Sequence, residues 1–258
     1  MSTATSFVAL IFFICLAASA SAQDVAPSDE KSKKVSELSA SQKEFTNLPE
    51  QQRRDFFKHL KEAERLFNQK RIFECMSEVR ESSKIFNNSS EVFNLLGSCY
   101  VEFRDFEKAR KLFTQADQIT PNQATIIFNI GEMEFVTHNW KSCLEKMSQA
   151  IKLLPKQDVI TRRLVEFKIM LCHIALGDQQ EANSMAERYD PLEDDSPYYY
   201  YAQAALCYRD KEIVKAEEWY QIANRVYQNS GMLSAWQDTL IEFGYIASFY
   251  GGNSEAEK

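Results

Sequence analysis

The sequence predicts an all-α fold: a solenoid of about five helix-turn-helix units with a C-terminal capping helix. Three observations carry that expectation. Turn-formers are scarce, with seven glycines and six prolines in 258 residues, where glycine alone usually makes up about 7% of a chain. Such a composition supports few hairpins or tight loops and argues against a β-sandwich or β-barrel. No Gly-x-Gly and no GxxxxGK[ST] string occurs in the sequence, which excludes the glycine-rich loops that cradle phosphates. One set of residue types also recurs at a 34-residue spacing through the middle of the chain.

Phe7 to Ala20 form an apolar run interrupted only by Ser19. It is too short to span a hydrocarbon core of about 30 Å and has the length of an export signal's hydrophobic region. Ala20-Ser21-Ala22 supplies the small residues that a signal peptidase needs. Residues 1–22 are therefore read as a cleaved signal peptide, with an uncleaved anchor as the alternative because the leader carries no Lys or Arg. Ile14 before Cys15 is too large for a lipobox. Export would place the protein in the periplasm of a Gram-negative bacterium and otherwise outside the cell, with no stable membrane insertion after cleavage. Residues 23–50 are polar and lack hydrophobic periodicity, and they read as a flexible linker.

From residue 51 to 230 the repeat organises the chain. Phe93, Leu96, Gly97, Tyr100, Phe106, Ala109, Phe113, Ala116 and Pro121 make up one copy. One period later stand Ile127, Ile130, Gly131, Glu134, Trp140, Cys143, Met147, Ala150 and Pro155. This pattern resembles the tetratricopeptide repeat, W-x2-L-G-x2-Y…A-x3-F…P, with Phe in place of the Trp. Each unit is a helical pair too small to hold a core alone, so its apolar faces must stack on neighbours. Gly97 and Gly131 would let the two helices of a pair approach closely, and Ala109 and Cys143 are small where they cross. Pro121 and Pro155 disfavour helix in the residue before them and end each unit.

Weaker copies flank these two. Upstream, Ala63, Leu66, Cys75, Val79 and Ser82 occupy matching places. Downstream the next small anchor is Ala182, which implies five inserted residues in or before the Asp158–Leu176 segment, and Ala216 follows one period later with Ala204, Tyr220 and Ala223. Residues 231–250 carry an apolar stripe of Trp236, Leu240, Phe243 and Ala247. The favoured expectation is a helix that caps the last repeat, the alternative a helix that folds back into the groove. Residues 251–258 are read as a disordered tail.

No constellation in the sequence points to catalysis, a cofactor or a metal. His59, His138 and His173 are far apart and outside any HExxH spacing. After signal removal five cysteines remain, with no CxxC among them, and they read as buried thiols with a single disulfide as the alternative. The acidic segment Asp190 to Pro197 lacks an EF-hand frame and reads better as a helix start. Asn87 and Asn88 each begin an N-x-[ST] sequon. Thirty basic against 37 acidic residues, a net charge of −7 and no basic run disfavour nucleic acid as a partner.

The resemblance implies a right-handed superhelix whose first helices line a concave groove for a partner peptide or helix. Carried onto this sequence, the groove positions are Leu60, Glu64 and Phe67, then Asn94, Ser98 and Val101, then Phe128, Glu132 and Phe135. Phe167, Leu171 and Ile174 follow, then Tyr201, Ala205 and Tyr208, with Tyr198 at the entrance. The repeat-packing positions are Gly97, Tyr100, Ala109, Phe113, Ala116, Pro121, Gly131, Trp140, Cys143, Ala150, Pro155, Ala182 and Ala216. Lys and Arg are missing from the groove set, so it does not read as a clamp for a partner's terminal carboxylate. Its aromatic and aliphatic character suits an amphipathic helix or an apolar segment. The expected function is a non-catalytic scaffold or assembly factor for a protein partner. The alternative is a self-associating structural protein whose groove is filled by its own C-terminal helix.

Overall fold

The computed structural model describes residues 39–228 and 230–247. The expected signal peptide, most of the linker and the C-terminal tail lie outside the described residues. Within them the chain is helical, with no strand. The elements are α1 (Ala40–Thr46), α2 (Glu50–Asn68), α3 (Ile72–Ile85), α4 (Ser90–Glu102), α5 (Phe106–Ile119) and α6 (Ala124–Val136). They continue with α7 (Trp140–Leu153), α8 (Val159–Leu176), α9 (Gln179–Ala186), α10 (Tyr198–Arg209), α11 (Ile213–Val226) and α12 (Ser230–Phe243). The pairs α2/α3, α4/α5, α6/α7, α8/α9 and α10/α11 stack in order, each first helix packing on the pair before it.

The turns inside the pairs share one backbone solution. Lys70, Arg104, His138, Gly177 and Lys211 follow the first helix of each pair and adopt the left-handed conformation, with φ of 59°, 58°, 59°, 80° and 62°. The next amide then donates to a carbonyl five residues back, as in Arg71 to Leu66, Asp105 to Tyr100 and Asp178 to His173, each at 2.9 Å. These turn residues keep the repeat period except across α8. That helix has 18 residues, against 13 in α4 and α6, so the inserted segment lengthens a first helix and leaves the turn unchanged. The glycine shortage therefore does not mean a shortage of tight turns. Four of the five are built on Lys, Arg and His, which accept the steric cost of a Cβ in this region.

Close approach within a pair is where glycine is needed. A Cβ on Gly97 would lie 2.6 Å from the Phe113 ring, and one on Gly131 would lie 3.0 Å from Met147. Ala109, Cys143, Ala182 and Ala216, the small anchors of the second helices, are all fully buried, as are Ala116 and Ala150. The second helix of the fourth unit, α9, has only eight residues. The following loop is fastened to α8: Arg163 Nε donates to Asp194 Oδ2 at 2.6 Å, and the Arg163 guanidinium lies 3.5 Å over the Tyr189 ring. Helix α10 starts at Tyr198, whose amide donates to Ser196 Oγ, so the acidic segment leads into a helix start. Tyr198 and Tyr201 face inward and are buried, whereas Tyr199 and Tyr200 are half-buried.

Two expectations need correction. The polar stretch read as linker up to residue 50 contains helix α1, closed by a Ser39–Gln42 capping box. Its Phe45 ring packs 5.0 Å from Phe56 and 5.3 Å from Phe86, covering the open end of the first pair. One aromatic in a seven-residue helix makes no detectable periodicity, and only docking on the first pair orders it. The C-terminal helix is the second case. Rather than simply closing the last pair, α12 lies along the first helices α6 and α8.

Candidate functional site on the concave face

All eleven residues assigned to partner binding are buried: Leu60, Phe67, Asn94, Val101, Phe128, Glu132, Phe135, Phe167, Leu171, Tyr201 and Tyr208. Leu60, Phe67 and Val101 belong to the N-terminal core cluster, while Phe128 and Leu171 belong to the C-terminal one. Helix α12 brings the aromatic members together. Trp236, 1% exposed, sits 5.4 Å from Phe167, 5.6 Å from Tyr201 and 6.4 Å from Tyr198 between ring centroids. Phe243 lies 6.1 Å from Phe135 and 5.1 Å from Trp140, and Tyr245 stacks 5.3 Å from Tyr208. The apolar stripe of α12 therefore fills the surface where a partner's anchors were expected.

The polar groups of this face are arranged between consecutive first helices. Asn129 Nδ2 donates to Asn94 Oδ1 at 3.0 Å, linking α6 to α4. In the next interval Lys168 Nζ donates to Glu132 Oε2 at 2.9 Å, linking α8 to α6. Lys168 also reaches Glu242 Oε2 of α12 at 3.5 Å and lies 4.4 Å over the Phe135 ring. Burial alone would lower the Lys168 pKa, but Glu132 and Glu242 more than offset it and hold the ammonium above the usual lysine range. Burial raises Glu132, against the pull of Lys168. Glu242 is pushed up to about 7 by burial, and Asp238, also on α12, to about 6 by the same cause. Glu132 Oε1 and Asn129 Oδ1 are buried with no hydrogen-bond partner.

The groove thus contains a lysine that the repeat register did not assign to it. Lys168 stands one residue beyond the groove position Phe167 and points back at the preceding first helix, as Asn129 does beside Phe128. A Lys set between Phe167 and Ile169 in the mostly apolar segment VEFKIMLC was the available signal, since a buried lysine needs a carboxylate partner. The α12 residues Trp236, Asp238 and Glu242 could not be assigned to the groove without knowing where that helix docks.

The three histidines stay apart. His59 pairs with Glu78 at 2.7 Å and His173 with Asp178 at 3.1 Å. His138 stacks on Trp140 with 4.9 Å between centroids and donates from Nε2 to the Glu242 carbonyl at 3.2 Å. It thereby ties the turn between α6 and α7 to the end of α12. Among the described residues, no three His, Cys, Asp or Glu side chains converge as a metal site, and no helix is long and apolar enough to cross a membrane.

Neither a family model nor a curated protein matches the sequence. The fold does have a solved counterpart in the structure from the functional characterization of Pseudomonas aeruginosa PilF. It superposes with a TM-score of 0.55 at 12% identity, covering 78% of this chain and 96% of that one. PilF is a tetratricopeptide-repeat protein. At this identity the likeness is one of fold, and this chain is an all-α solenoid of tetratricopeptide type.

Proposed function

We propose that the protein is a non-catalytic interaction scaffold, exported from the cytosol, whose concave face receives an amphipathic helix of a partner protein. The observation that carries this reading is the seat of α12. An amphipathic helix with an aromatic stripe and acidic flanks already lies on that face, with Trp236 among Phe167, Tyr198 and Tyr201 and Glu242 beside Lys168. Helix-in-groove recognition uses aromatic anchors spaced in this way. The partner helix would have similar chemistry and would displace α12. The unpaired Glu132 Oε1 and Asn129 Oδ1 support displacement, since a partner that satisfied them would gain free energy that α12 forgoes.

A peptide with the sequence of residues 230–247 tests the reading. It should bind a chain truncated after residue 228, provided circular dichroism shows the truncated chain folded, and should bind the full chain far more weakly. No binding to a folded truncated chain would overturn the proposal. The seat of α12 also favours a second reading, a self-associating protein that exchanges α12 between copies. In that case dimers would form at high concentration and vanish on truncation.

A further inference from the structure

Cysteines in this solenoid occur in facing pairs at one recurrent place. Where the second helix of a unit meets the first helix of the next, Cys75 of α3 faces Cys99 of α4 with 3.5 Å between the sulfurs. Cys143 of α7 and Cys172 of α8 occupy the same two places and are also in side-chain contact. The equivalent pair between α5 and α6 is Ala109 and Met133, and between α9 and α10 it is Ala182 and Leu206. Two of the four joints therefore carry cysteine on both sides, and two carry it on neither. Cysteines that served only as small apolar side chains would also appear singly at these joints. All four paired cysteines are fully buried, while Cys207, outside the pattern, is half-buried.

We infer that Cys75–Cys99 and Cys143–Cys172 are disulfide sites that staple the first unit to the second and the third to the fourth, leaving Cys207 as the free thiol. In each closure the two thiols lose two protons and two electrons as the S–S bond forms. A small-molecule or protein disulfide takes them up and is cleaved to two thiols. In the folded chain the Cys75 hydrogen bond and burial hold the Cys99 thiol above its usual range. A solenoid contacts only its neighbours along its length and unzips from its ends. A bridge across a joint removes that route by tying together segments that are separated in the unfolded chain. The inference is independent of groove binding. It needs an oxidising compartment in the cell, which the leader would provide, but the chemistry can be tested without one.

The chain, refolded in glutathione disulfide, should be alkylated under denaturant without reductant, digested, and read by mass spectrometry. Peptides joined through Cys75–Cys99 and Cys143–Cys172 are expected, with alkylation at Cys207 and at Cys15 where the leader is retained. Alkylation of all cysteines, or bridges in another pairing, would overturn the assignment. Cys75→Ala and Cys143→Ala provide the second readout. Each should lower the thermal midpoint of the oxidised protein more than that of the reduced protein. An equal loss in both states would mean that the cysteines act by packing alone.

Discussion

Lys168 Nζ lies 2.9 Å from Glu132 Oε2 with both side chains almost fully buried, and this pair joins α8 to α6 beneath α12. Removing one member leaves the other charge buried without its partner, which typically costs about 3 kcal/mol or more. Lys168→Met is expected to lower unfolding free energy by about that amount in urea titration, and adding Glu132→Gln should recover much of it. An unchanged midpoint for Lys168→Met would show that solvent reaches the pair.

Acidification should tighten the seat of α12. Glu242 titrates at about 7 and Asp238 at about 6 when α12 is docked, above the ordinary carboxylate values near 4.5 and 3.8. The docked state therefore binds protons more readily than the undocked one. Its stabilisation is complete below pH 4 and is lost as pH rises through 6 to 7, with Glu242 contributing on the order of 2 kcal/mol. Hydrogen exchange of the α12 amides, corrected for intrinsic rates, should show more protection at pH 5.5 than at pH 8. Glu242→Gln should flatten most of this dependence. Protection that rises with pH would contradict the assigned direction.

The two close-approach glycines should respond differently to alanine. At Gly97 the added Cβ meets a fully buried aromatic ring, which cannot fold away, so Gly97→Ala should destabilise by about 1–3 kcal/mol. At Gly131 the obstacle is the flexible Met147 side chain, and the helix gains about 1 kcal/mol in propensity, so Gly131→Ala should be nearly neutral. Thermal denaturation of the two variants side by side checks the order.

The left-handed turns offer a stabilising change. Arg104→Gly removes a Cβ from a residue at φ of 58° and should raise stability by up to about 1 kcal/mol, after allowing for the greater freedom of glycine in the unfolded chain. Gly177→Ala, at φ of 80°, should lower stability by a comparable amount even though nothing lies within 4 Å of the new Cβ. Both shifts should appear in chemical unfolding midpoints at constant slope.

Much of the fold was legible because a repeat constrains itself locally. The anchors Ala109, Cys143, Ala182 and Ala216 had to be small wherever two helices crossed, and Gly97 and Gly131 wherever they touched most closely. A five-residue displacement in that series was enough to locate the lengthened α8. The site was less legible. Phe128, Phe135, Phe167 and Tyr201 were identifiable as an inward-facing set, yet their neighbours Trp236, Phe243 and Lys168 were not. Those residues reach the set from an element or a direction that the repeat pattern does not describe.

The sequence by itself determined the period, the order of helical pairs and the residues that turn inward, because those follow from helix geometry and side-chain size within one unit and its neighbour. Only the tertiary structure decided that α12 lies along the first helices α6 and α8, that α1 covers the first pair, and that Lys168 meets both Glu132 and Glu242. The physical reason is that α12 packs on residues drawn from several units at once, Phe135, Phe167 and Tyr201 among them, so its seat is a property of the stack and is written in no single repeat.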